Sequence, residues 1–170
     1  MNLITPHFGE VTLINFTELS KEDALSVLKM RNHPEICKWM YHPEAISETE
    51  HFRFIESLKK DTTKHYFVVK KVDAFIGSIN FTKVDDMKKT ADFGLYANPF
   101  FTLTGAGQIL EEAATNYASH TLNLNVLNLE VFAKNQRAIA FYQKNGFVQL
   151  GIKTINHQSV WFMQKVIKEN

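Results

Sequence analysis

From His65 onward the apolar residues of this chain stop recurring at helical spacing and begin to alternate, and the turns between the alternating runs are short. Residues 65–70 and 75–81 read as strands joined by a tight turn near Asp73, and residues 90–97 follow after the polar turn at 85–89. Turns of this length join antiparallel neighbours, because a parallel crossover needs about a dozen residues or more. Much of the fold is therefore constrained to an antiparallel meander.

The flanking segments keep helical spacing. After a first strand over 11–16, Ser20 with Asp23 fits a capping box, and Ala24, Leu25 and Leu28 supply an apolar stripe. That helix runs to about Asn32, because Pro34 biases His33 away from helical geometry. Ser47 with Glu50 forms a second box, behind which His51, Ile55 and Leu58 share one face, with Phe52 and Phe54 to either side. A helix from about Gly107 carries Leu110, Ala113, Ala114 and Tyr117 on one stripe. Residues 126–132 form a strand with Leu127, Leu129 and Val131 on one face and Asn128 and Glu130 on the other. Asn135 caps a short helix that stops at Gly146, and residues 147–154 and 159–167 close as a hairpin about Asn156 and His157. The expectation is one α+β domain over residues 1–170, a mixed, mostly antiparallel central sheet with helices on both faces.

Composition removes several function classes. Nineteen Lys and Arg against eighteen Asp and Glu leave a formal charge of +1, which offers no electrostatic reason to expect nucleic acid. No apolar run approaches the ~20 residues of a membrane span, and the start lacks the pattern of a signal peptide. The single cysteine, Cys37, suits a reducing compartment, so a cytoplasmic protein is expected. His33 and Cys37 lie four residues apart with no third ligand in register, so no metal is expected. The fourteen Phe either pack a core or, in part, line a slot for a flat ligand.

Two segments carry chemistry. In Leu103-Thr104-Gly105-Ala106-Gly107-Gln108 the glycines admit a ligand close to the backbone just where a helix start offers unpaired N–H groups, a setting suited to phosphate. A tight turn before a helix would need the same residues. The second segment is Asn135-x-x-Ala138-x-x-Phe141-Tyr142-x-Lys144-x-Gly146-Phe147. It resembles the acetyl-CoA-binding helix of the GCN5-related N-acetyltransferases (GNAT), and the Gly105–Gly107 loop resembles the family's pyrophosphate loop. One departure is Thr102, where the family usually has Gln or Arg, and it implies weaker pyrophosphate binding.

The resemblance implies acetyl-CoA as co-substrate and a GNAT-type domain whose strand before the loop splays from the strand after it. The pantetheine arm would pair with Leu95, Tyr96 and Ala97, with Gly94 expected at a bulge. Leu103, Thr104, Gly105, Ala106, Gly107 and Gln108 would hold the pyrophosphate, with Asn135, Ala138, Phe141 and Lys144 completing the cofactor site. Tyr142 would be the general acid, since a phenol stays protonated at neutral pH. Packing beside Phe141 is its bland alternative.

Shorter strings, Arg31-Asn32-His33-Pro34, Trp39-Met40-Tyr41, His51-Phe52-Arg53-Phe54 and Gly77-Ser78-Ile79 among them, resemble one branch of the family, the N-acetyltransferases of pseudaminic acid biosynthesis. That branch acetylates the 4-amine of a UDP-linked 4-amino-4,6-dideoxy sugar on the way to flagellin glycosylation. The resemblance then implies a UDP-amino-sugar partner, with Met40, Tyr41 and Phe54 around the uracil and Arg31 on the diphosphate, and leaves a homodimer open. It places His51, Ser78 and Glu130 as polar groups near the reacting amine. Each has a structural alternative: a helix-end charge for Arg31, core packing for Met40, Phe54 and His51, a structural hydrogen bond for Glu130. A protein N-terminal or ribosomal-protein acetyltransferase and a silent acyl-CoA-binding module of the same fold are the competing readings.

Overall fold

The computed structural model describes residues 1–168. Its elements are β1 (Asn2–Thr5), β2 (Gly9–Asn15), α1 (Lys21–Asn32), α2 (Pro34–Cys37), α3 (Glu48–Leu58), β3 (His65–Lys71), β4 (Ala74–Asp85), β5 (Thr90–Ala97), α4 (Ala106–Asn116), β6 (Val126–Phe132), α5 (Gln136–Lys144), β7 (Val148–Ile155) and β8 (Gln158–Val166). The strands form one sheet in the order β1-β2-β3-β4-β5-β6-β8-β7. Its neighbours are antiparallel except β5 and β6.

Strand β3 shows how alternation serves two cores. Phe67 and Val69 point into one buried cluster with Ile109, Ala113 and Tyr117 of the α4 region and with Ile139 and Tyr142 of α5. Val68, one residue out of phase, joins the opposite cluster with Ala24, Val27 and Met30 of α1 and Ile55 and Leu58 of α3. Helices thus cover both faces, as the alternation requires of a strand with both sides apolar. Most of the phenylalanines serve these clusters, and Phe16, Phe54 and Phe93 among them, with Phe132 outside them, also line a cavity.

The helix boundaries follow from their caps. Ser47 accepts from the N–H of Glu50 while the Glu50 carboxylate accepts from the N–H of Ser47, a complete capping box. Ser20 closes only half of one: its hydroxyl accepts from the N–H of Asp23, and the Asp23 carboxylate, one methylene shorter than that of Glu50, bonds the Ser20 hydroxyl and not the cap backbone. His33 is extended, with φ −63° and ψ 133°, and ends α1 before Pro34.

Four expectations are corrected. Phe16 leaves the first strand and starts a 3-10 turn, Phe16–Glu18, whose Asn15 cap bonds Thr17. Strand β1 precedes it, too short and mixed to show periodicity, and pairs Leu3 with Val11. Pro34 opens the additional helix α2 from its first position, where a missing N–H costs nothing. Gly94 sits in regular register opposite Asn80, and the irregularity of that strand pair falls between Thr82 and Asp85 instead. A Cβ at Gly94 would lie 2.8 Å from Asn80 Oδ1, so any larger residue there would displace the Asn80 amide.

Candidate active site

The parallel pair makes the site. β5 and β6 are in register for Thr90 with Val126, Ala91 with Leu127 and Asp92 with Asn128, and the pairing stops there. Beyond Asp92 the strands diverge, and a cavity of about 680 Å³ passes through the gap. Its lining comes from both faces of the sheet. Arg31, His51, Phe54 and Tyr66 approach from the α1–α3 side, Ala138 and Tyr142 from the α5 side, and Ser78, Asn80, Leu95, Tyr96 and Glu130 from the strands between. A volume of this size suits a small-molecule site.

On the α5 side, Asn135 accepts the N–H of Ala138 and sets the start of the helix. Phe141 lies against the other predicted segment: a Cβ built on Gly107 would meet its ring at 3.3 Å. Gln108 Nε2 donates to Asn145 Oδ1 at 2.7 Å. The loop and α5 are thus joined. Gly105, with φ +81°, begins α4 with no side chain to cap it, so the first turn presents backbone N–H groups and a positive dipole end. Leu103 packs against the core, whereas Thr104 and Lys144 are exposed. The loop lies outside the cavity lining, beyond the end of β5.

Tyr142 faces the cavity from within a ring of Phe93, Phe141 and Phe147, with centroids at 6.5, 5.4 and 5.5 Å. Burial, and secondarily the charge of Glu111, pushes its phenol well above the ordinary tyrosine range. Tyr96, across the strand pair from Ser78, is pushed up to about 12, mainly by burial. Both phenols therefore hold their protons at neutral pH.

The side on which the acceptor is expected is more internally bonded than the sequence implies. Arg31 donates from Nη1 to the carbonyl of Glu44 and from Nη2 to that of His42 at 2.8 Å, bracing the loop after α2. Its Nη1 also bonds Asn32 Oδ1. His51 is buried, and its Nε2 lies 2.9 Å from Ala24 O, tying α3 to α1. Burial holds its pKa below the usual histidine value. Ser78 Oγ donates to Phe67 O at 3.0 Å. Tyr41 donates to Glu130 Oε2 and sets its ring edge-on to Phe132, so one predicted acceptor residue and one predicted catalytic residue are in direct contact. Phe54 stacks edge-on to Tyr66 at 5.0 Å, and Met40 lines the cavity beside Tyr41.

Sequence reasoning passed over Asn80, Tyr66 and Phe132, which all line the cavity. Asn80 had a signal, standing two residues after Ser78 on one strand and hence on the same face. Phe132 ends β6 directly after Val131, where a strand end reads the same whether it packs or binds.

Residues 14–148 match the family described as Acetyltransferase (GNAT) domain. The chain belongs to that family of acetyltransferases. It is 39% identical over 137 residues to the acetyltransferase PseH of Campylobacter jejuni subsp. jejuni serotype O:23/36, covering 81% of this chain and 84% of that one. The crystal structure of Campylobacter jejuni N-acetyltransferase PseH in complex with acetyl coenzyme A superposes with a TM-score of 0.72 at 31% identity, covering 92% and 98% of the two chains. A spermidine N-acetyltransferase from Vibrio cholerae, solved with CoA and spermine, gives a TM-score of 0.79 at 22% identity over 92% and 95%, and shares the fold. Among the described residues no helix is long and apolar enough to cross a membrane.

Proposed function

We propose that this chain is an acetyl-CoA-dependent N-acetyltransferase of pseudaminic acid biosynthesis, acting on the 4-amino group of a UDP-linked 4-amino-4,6-dideoxy sugar. The observation that carries the reading is the divergence of β5 and β6 after Asp92, with a cavity through it and, outside that cavity in the chain beyond β5, an uncapped helix start. Strand edges left open by the divergence fit an extended pantetheine, the α4 start fits a pyrophosphate, and the 39% identity to PseH supports the sugar acceptor.

Acetyl-CoA supplies the thioester. Leu95, Tyr96 and Ala97 hold its arm through backbone groups, and Tyr142 stands where the sulfur leaves. Glu130 takes the proton from the acceptor amine, directly or through a water, as the amine's lone pair forms the C–N bond. When the C–S bond breaks, Tyr142 gives its proton to the thiolate and recovers one from solvent, to which Glu130 releases the amine proton. Arg31, Met40, Tyr41 and Phe54 hold the nucleotide, His51 fixes α3 against α1 beside them, and Ser78 orders the strand under the amine. Transfer is direct, in a ternary complex with no acetyl-enzyme. The proposal also places the reaction in the cytoplasm, in keeping with the single cysteine, Cys37, which is free. A homodimer belongs to the same reading and is checked by light scattering.

Thiol release from acetyl-CoA tests the proposal against UDP-amino-sugars and N-terminal peptides. The sugar should turn over, and UDP should compete with the sugar but not with acetyl-CoA. If UDP fails to inhibit and a peptide amine is acetylated as well as the sugar, the acceptor is a protein.

A further inference from the structure

Glu130 is held from two sides. The Tyr41 hydroxyl bonds Oε2, and Lys153 Nζ lies 3.5 Å from Oε1. Other ion pairs such as Lys38–Glu35, Lys59–Glu56 and Lys64–Asp61 join residues three apart, but Lys153 belongs to β7 and Glu130 to β6, with β8 between them. The register explains the reach. Glu130 stands opposite Phe162, and Phe162 stands opposite Gly151, which follows the irregularity after Gln149. Gly151 leaves its place on that face without a side chain. Lys153, two residues on and so on the same face, lies back over Phe162 with Nζ 4.0 Å from the ring centroid. It crosses two strand spacings, about 10 Å.

We propose that Lys153 is a positioning residue for Glu130. It holds Oε1 while Oε2 passes from the Tyr41 hydroxyl to the acceptor amine, so the carboxylate keeps its aim when Tyr41 turns to the substrate. The amine proton moves to Oε2, and no proton passes through Lys153. Lys83 does not substitute for it, because its Nζ is 2.6 Å from Asp92 on the neighbouring strand. The inference rests on the proposed role of Glu130.

The test is kcat and KM for thiol release from acetyl-CoA with a UDP-4-amino-4,6-dideoxy sugar. Lys153→Met, which keeps the stem over Phe162, should lower kcat about threefold to fivefold, the size of a half-exposed ion pair. Both KM values should hold, and Lys153→Arg should restore most of the rate. In a Glu130→Gln background the Lys153→Met change should add nothing, since it acts through the carboxylate. An unchanged kcat in Lys153→Met, or the same loss in both backgrounds, overturns the assignment and leaves the proposed function standing. A wild-type enzyme that releases no thiol with any UDP-amino-sugar overturns both.

Discussion

The two sides of the cavity are built in opposite ways. On the proposed donor side, β5, β6 and the start of α4 would work through backbone, and Gly105 and Gly107 would serve by carrying no side chain. On the acceptor side the groups are side chains, many already bonded within the protein: Arg31 to the 42–44 loop, His51 to Ala24, Tyr41 to Glu130. A backbone site is broken by adding atoms, whereas a side-chain site is broken by removing them.

The largest effect should come where the two sides meet. Tyr142→Phe removes one hydroxyl from a ring that Phe93, Phe141 and Phe147 already hold, so Tm and cofactor affinity should persist while kcat falls by ~10²-fold or more. Wild-type turnover would remove Tyr142 from the chemistry. Next, Gly107→Asp adds a carboxylate at the α4 start and should raise the Kd for acetyl-CoA by about tenfold or more, equivalent to one lost charge-assisted hydrogen bond. Gly107→Ala separates out the crowding of Phe141, whose ring lies 3.3 Å from the new Cβ. Calorimetry showing wild-type affinity in Gly107→Asp would take the loop out of the donor site.

On the acceptor side, Arg31→Ala should raise KM for the sugar by roughly fivefold to tenfold and leave that for acetyl-CoA alone, since it frees the loop as well as the diphosphate contact. Equal rises for both substrates would mean that Arg31 supports the fold generally. The smallest effect is on stability. Burial keeps the His51 ring's pKa low, so the unfolded chain protonates first as pH falls. Its contribution is therefore complete above about pH 6.5 and is lost below. His51→Gln retains an N–H for Ala24 O and should flatten the fall in Tm between pH 7 and 5 by about 1–2 °C. His65, lowered by burial in the same sense, should keep part of the slope.

The same contrast decides what could be read in advance. The proposed donor residues lie in three short stretches, 95–97, 103–108 and 135–144, because a strand edge, a helix start and one helix face are local objects, and Asn135, Gly105 and Phe141 take their places from chain-local geometry. Strand periods likewise fixed β5 and β6 to the residue. The acceptor side escapes such reading. That Tyr41 meets Glu130, 89 positions away, or that Arg31 spends its donors on a loop, depends on how α1, α2 and the sheet dock. β1 and α2 were missed because four residues cannot display a period.

The divergence after Asp92 also matters for the kinetics of backbone opening. Strand β5 is stitched to β4 along its length but to β6 over three residues, so the hydrogen-bond ladder of the sheet divides into two blocks that share a short seam. Amide hydrogen exchange should resolve them, with Thr90 to Asp92 marking the hinge and the amides beyond it exchanging with the looser block. An extended ligand pairing along the gap would act as a ninth strand and fuse the blocks. The enzyme would then be most cooperative as a folded object only while it is holding its donor.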